Sequence, residues 1–182
     1  MAYIISITAQ DRSGIVAGVS EALLDLGGNI EAASQTVHQG YFAMILLCTF
    51  AQTPDPTVVS DDIRRAAGED LHVYVTEHRH TRKSPQSTQT FIVTAIGPDR
   101  PGILHALTEY LASKKVNIDD LYCTVRQDEF VVICQTSVPA SLDVARLQQE
   151  LEAVGRQRGF AAHFQHENIF VATNELGLGH FG

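Results

Sequence analysis

Tryptophan is missing from this chain of 182 residues, and cysteine occurs only three times. With an odd number of cysteines, at least one is unpaired within the chain, and Cys48, Cys123 and Cys134 show no CxxC spacing. Neither a disulfide framework nor a zinc ribbon is indicated. Each cysteine lies in a strand-like apolar context, the setting of a small buried hydrophobe in a reducing cytoplasm. Basic residues are also scarce: 13 Lys and Arg against 21 Asp and Glu leave a formal charge of -8. Direct, unspecific nucleic-acid binding needs the opposite balance, and only Arg82 and Lys83 make a local basic spot. No apolar run approaches the roughly 20 residues that span a bilayer. The opening "MAYIISITAQ" has no basic region followed by a long apolar core, so no signal peptide is expected and the chain reads as cytoplasmic.

Catalytic and cofactor signatures are equally thin. Ser34 and Ser87 have no G-x-S-x-G context. Cys123 and Cys134 fall inside strand-like runs, where a thiol is inert. "GLGHFG" near the end has neither a strand before it nor a helix after it. His78 and His80 would share one strand face, but two ligands on one strand are not a metal site, and His163, His166 and Glu167 read as a solvated strand end. Helix-like segments are separated by strand-like ones, which leaves no helix-turn-helix. A non-catalytic protein without metal or cofactor is expected.

What the chain does have is a repeat. "DRSGI" runs from Asp11 to Ile15 and "DRPGI" from Asp99 to Ile103, a separation of 99 minus 11, or 88 residues. The same shift brings Ile4 onto Ile92, Asn29-Ile30 onto Asn117-Ile118, Thr36-Val37 onto Thr124-Val125, and Phe42 onto Phe130. Tyr3 to Ala9 and Thr90 to Gly97 are β-branched runs that suit strands. Ile15, Val16, Val19, Leu23 and Leu26 then fall at amphipathic helix spacing, as do Ile103, Leu104, Leu107 and Leu111. Gly27-Gly28 offers a left-handed stop. Asn29 to Val37 and Phe42 to Phe50 flank the tight "HQGY", while Asn117 to Arg126 and Phe130 to Val138 flank "QDE", each pair reading as a hairpin. Helices over Pro56 to Ala67 and Leu142 to Arg158, then strands over Leu71 to His78 and Phe160 to His166, complete each copy.

The predicted order is therefore βαββαβ twice: an α+β chain of two ferredoxin-like units, each an antiparallel sheet with helices on one face. The expected divisions are unit 1 at 1–80, a polar linker at 81–89, unit 2 at 90–168 and a tail at 169–182. The face without helices carries apolar residues that need cover from another unit or another chain.

The stretches "ITAQDRSGIVAGVSEALLDLGGNIEAASQTV" and "TAIGPDRPGILHALTEYLASKKVNIDDLYC" resemble the ACT domain, a small-molecule sensing module of amino-acid metabolism. "SQTVHQGYFAMILL" and "FQHENIFVA" are similar to tandem-ACT proteins related to the glycine cleavage system transcriptional repressor. The resemblance implies an amino acid, glycine or serine by analogy, bound at an interface between ACT units. Carried onto this chain, it selects Asp11, Arg12, Ser13, Gly14 and Asn29, and in the second unit Asp99, Arg100, Pro101, Gly102 and Asn117. It also implies a homodimer or higher homo-oligomer and a protein partner, such as a transcription factor, in control of glycine cleavage gene expression. Without nucleic-acid or membrane contacts of its own, the chain would act through that partner.

The residues support two readings. A ligand carboxylate suits the unpaired N–H groups of a first helical turn, a carboxylate such as Asp11 or Asp99 suits an ammonium, and an asparagine amide serves both. Alternatively Asp-x-x-Gly caps a helix and turns the chain, and asparagine opens a strand, leaving a ligand-free module that pairs through its sheets. Ser13 and Pro101 differ at matched positions, so the two copies need not be equivalent.

Overall fold

The computed structural model describes residues 1–79 and 87–168, in two compact units. The expected C-terminal tail, His80 and most of the expected linker lie outside the described residues.

The first unit runs β1 (Ala2–Gln10), α1 (Ile15–Asp25), β2 (Gly28–His38), β3 (Tyr41–Phe50), α2 (Pro56–Ala67) and β4 (His72–Glu77). Its four-stranded sheet has the order β2-β3-β1-β4, all antiparallel. Alternate residues of the two central strands point to one face: Ile5 and Ile7 of β1 and Leu46 and Cys48 of β3 meet Val19 and Leu23 of α1 and Val59 and Ile63 of α2, all buried. Each such side chain is worth roughly 1.5–3 kcal/mol on removal from water. At Gly18 the helices come close, for a Cβ there would stand 2.7 Å from both the Ala66 carbonyl oxygen and the Ala67 Cα.

The second unit repeats this with β5 (Thr88–Pro98), α3 (Ile103–Ser113), β6 (Asn117–Arg126), β7 (Glu129–Pro139), α4 (Val144–Arg158) and β8 (Ala161–His166), in the sheet order β6-β7-β5-β8. Val93, Leu107, Leu111, Val132, Cys134 and Leu151 centre its core. Both second strands carry a bulge at the same place in the repeat, after Ile30 and after Ile118. Both hairpin turns hold their two central residues at positive φ: Gln39 (52°) with Gly40 (80°), and Gln127 (50°) with Asp128 (65°). That pair of conformations matches the twist of the flanking strands.

The edge strand β8 is closed by a side chain. Gln148 of α4 donates to the Ala162 carbonyl at 3.1 Å and accepts from the Phe164 N–H at 2.6 Å, as a neighbouring strand would. The matched position in the first unit is Ser60, whose hydroxyl goes instead to Thr57 of its own helix, at 2.9 Å.

Several boundaries differ from the sequence reading, most by a single residue. β5 begins at Thr88 rather than Thr90, because its pairing with β7 continues to Thr88–Pro139. α4 begins at Val144 rather than Leu142, because the Asp143 carboxylate accepts from the Ala145 N–H at 2.9 Å and so caps the helix. β4 ends at Glu77, one residue short of the expected His78.

Candidate functional site

Each strand-to-helix loop leads β1 into α1 or β5 into α3. Asp11, Arg12, Ser13 and Gly14 are exposed together in the first, and Asp99, Arg100, Pro101 and Gly102 in the second. Gly14 (φ 95°) and Gly102 (φ 99°) are the N-cap residues, in a left-handed conformation that glycine adopts without steric cost. Among the described residues no side chain caps either helix. The capping role open to Asp11 and Asp99 is therefore not the one they play. α2 and α4, by contrast, are capped by Asp55 and Asp143. Among the described residues, the helices that open from the D-R-x-G-I loops present first-turn N–H groups unclaimed by a side chain.

The loop is anchored through its backbone. The Asp11 N–H donates to the Gly40 carbonyl, and the Asp99 N–H to the Asp128 carbonyl, both at 2.9 Å. The β2–β3 and β6–β7 turns thus lie beside the loops, an arrangement the residue-by-residue reading missed. A signal was present: a tight hairpin after β2 must return the chain to the end of β1, and Gln10 indeed pairs with Tyr41. Exposed Tyr41 and the exposed His38 border the first loop, and Asp128 and Glu129 the second.

The asparagines are elsewhere. Asn29 pairs with Thr49, level with Ala2 at the start of β1, while Asp11 follows that strand's last residue. At about 3.3 Å per residue, the two are roughly 25–30 Å apart. Asn117, opposite Ser137 and level with Thr90, is as far from Asp99. No single unit brings the loop and the asparagine together.

The two loops also differ in what their arginines do. Arg12 forms a bidentate pair with Asp70, both contacts at 2.7 Å, and donates to the Ala67 carbonyl at the end of α2 at 2.9 Å. The guanidinium holds the Asp70 carboxyl below its ordinary range. It occupies the space that Gly68 (φ 134°) leaves by lacking a Cβ, which would collide with Arg12 Nη2. Arg100 has no partner among the described residues. The asparagines show the reverse: Asn29 has a free amide among the described residues, whereas the Asn117 amide donates to Asp119 at 2.6 Å.

No group of three or more His, Cys, Asp or Glu among the described residues could hold a metal ion. The three cysteines are free thiols, and burial pushes Cys134 up to about 11, far from a reactive thiolate. No helix among the described residues is long and apolar enough to cross a membrane.

Comparison with known proteins agrees with this architecture. Residues 3–61 match the ACT domain, and residues 89–165 match a second ACT-domain model. A UPF0237 protein of Methanopyrus kandleri is 34% identical over 86 residues, which cover 96% of that protein and 47% of this chain. Among solved structures, an unknown protein from Galdieria sulphuraria overlays with a TM-score of 0.77 at 24% identity, covering 91% of this chain and 97% of its own. A candidate glycine cleavage system transcriptional repressor overlays with a TM-score of 0.62 at 16% identity, covering 91% of this chain and 98% of its own, a likeness of fold. The chain belongs to the ACT-domain family and carries two ACT domains in tandem.

Proposed function

We propose that the chain is a non-catalytic sensor that binds a small amino acid at its D-R-x-G-I loops and passes the signal to a protein partner. The observation that carries this reading is the contrast between capped and uncapped helices. α2 and α4 spend an aspartate on their first turns, while α1 and α3, behind exposed left-handed glycines, do not. A ligand carboxylate takes the place of the missing cap, favoured by the helix dipole. The exposed carboxylate of Asp11 or Asp99 faces the ammonium. Arg100 is the stronger recruit for a ligand carboxylate, because Arg12 is already committed to Asp70. Asn29 and Asn117 join such a site only from a second unit, which fits an effector bound where ACT units pair in a homo-oligomer.

Glycine or serine is the proposed effector, and control of glycine cleavage gene expression through a transcription-factor partner the proposed output. Both rest on the resemblance to repressor-related tandem-ACT proteins. Coupling follows if the ligand binds one arrangement of units more tightly than another. Isothermal titration of the protein with each amino acid tests the reading. One amino acid is expected to bind, and Asp99→Asn combined with Arg100→Ala should remove most of that binding while the unliganded protein stays folded. Binding indifferent to both loops would overturn it.

One observation favours a second reading, a ligand-free module that pairs through its sheets. The open face of the first sheet, crossed by the rows Ser34–Ile45–Ser6–Tyr74 and Ala32–Leu47–Ile4–Thr76, carries no charged side chain in those rows. Ile45 is 49% exposed and Tyr74 70%. Such a face suits association in a chain with a charge of -8.

A further inference from the structure

The two units keep the same spacing around one corner and fill it differently. It lies where the first helix of a unit ends and the third strand approaches the cap of the second helix, residues 26–28 and 50–55 in the first unit, 114–116 and 138–143 in the second. In the first unit aromatic and apolar side chains pack in the corner. The Tyr3 hydroxyl donates to the Pro54 carbonyl at 2.9 Å, its ring lies 5.8 Å from that of Phe50, and Leu26 packs on the core. Gly27, at φ 70°, turns the chain. In the second unit all four residues are changed. Phe91 has no hydroxyl and sets its ring against Phe164 and His166, Val138 stands for Phe50, and Lys114-Lys115 stands for Leu26-Gly27. A cavity of about 410 Å³ lies here, lined by Ser87, Lys114, Lys115 and residues 139–142.

Lys115 holds φ at 58°, where its counterpart in the repeat is glycine. Lysine is disfavoured there relative to glycine, and it ends α3 with the Lys115 N–H on the Ala112 carbonyl at 2.9 Å and the Val116 N–H on the Leu111 carbonyl at 3.0 Å. Lys114 is satisfied by Glu150 at 2.5 Å, but the Lys115 ammonium has no partner among the described residues. The cavity therefore combines one uncommitted cation, the hydroxyl-bearing Ser87 and Ser141, and an apolar wall of Pro139 and Leu142.

We infer that this corner of the second unit binds a small organic anion, a carboxylate or phosphate monoester on a short carbon body. Lys115 pairs with the anion, the serine hydroxyls bond its oxygens, and Pro139 and Leu142 pack on the carbon body. Ser87 precedes β5 and Asp99 follows it, so this site is a strand's length from the Asp99–Gly102 loop and stands or falls independently of it.

Amide NMR of the full chain tests the site, with glycerol 3-phosphate and butyrate as separate probes and glycerol as the neutral control. The expected result is saturable shifts at Lys115, Val116 and residues 140–142 with at least one anion, and none at residues 99–103. The stronger anion identifies the headgroup. Lys115→Gly should abolish the response while melting no lower than the parent, since glycine is favoured at that φ, and Lys115→Arg should retain it. Absence of shifts with both anions into tens of millimolar, an equal response to glycerol, or an unchanged response in Lys115→Gly would overturn the inference.

Discussion

Replacing Gly18 by alanine should destabilise the first unit even though alanine is the better helix former. The introduced Cβ would meet the Ala66 carbonyl oxygen at 2.7 Å, the Ala67 Cα at 2.7 Å and the Ala66 carbonyl carbon at 2.9 Å. All three are backbone atoms, so no side chain can swing aside and α1 must lift off α2. Overpacking of this kind costs about 1–3 kcal/mol. Removing a helical glycine returns up to about 1 kcal/mol, and the net loss is about 1–2 kcal/mol. For a unit of this size that lowers the melting midpoint by roughly 5–15 °C. The consequence reaches the proposed ligand loop, because the Gly18 N–H donates to the Gly14 carbonyl at 2.9 Å and a lifted α1 carries its first turn with it. The second unit already has Ala106 at the matched position, buried in its core. Urea and thermal unfolding of Gly18→Ala and the parent decide the matter. A variant as stable as the parent, or more stable, would refute the close-crossing explanation.

Four further outcomes follow from the geometry. Arg12→Ala should lower the melting midpoint, whereas Arg100→Ala should leave it unchanged, because only Arg12 braces the α2–β4 turn; equal effects in thermal unfolding would contradict the asymmetry. The Asp70 carboxyl is held low by Arg12, so that brace is present above the ordinary carboxylate range and is lost as pH falls below it, which a pH series on parent and Arg12→Ala would show. Glu150, held down to about 2 by Lys114 and Arg146 against an ordinary 4.5, contributes stability at neutral pH that disappears as pH falls from about 4.5 toward about 2. Lys114→Met should flatten that acid limb in unfolding measured across the window. Tyr110→Phe should cost about 1 kcal/mol in urea unfolding by removing the donor to a buried carbonyl, the Tyr110 hydroxyl to Leu147 bond of 2.9 Å.

The repeat made the fold legible. Two copies of one hydrophobic pattern at constant spacing place eight strands and four helices, and β6 and α2 have the expected bounds. The errors fall at ends, where a single hydrogen-bonding group decides: the Asp143 carboxylate moves the start of α4 past Leu142, and ladder pairing moves the start of β5 forward. The site was legible only in part. Asp11 to Gly14 and Asp99 to Gly102 are contiguous in sequence and so remain together in space. Asn29 and Asn117 were grouped with them by family pattern, yet an extended strand carries each away from its own unit's loop. Arg12 could not be assigned from its motif, because its partner Asp70 is 58 residues away and is absent from the second unit's matching turn. Lys115 gives no sequence signal by itself. Its meaning comes from the left-handed backbone it shares with Gly27.

The central claim is that the D-R-x-G-I loops hold an amino acid. Thermal denaturation of the full chain in the presence of each of the twenty amino acids tests it most directly. A ligand confined to the folded state raises stability by roughly 2.7 kcal/mol at a hundredfold excess over its dissociation constant. A single small amino acid, glycine or serine, is predicted to raise the midpoint, and Asp99→Asn with Arg100→Ala to diminish that rise. Flat melting curves with all twenty into the millimolar range would contradict the sensor account and favour a ligand-free pairing module.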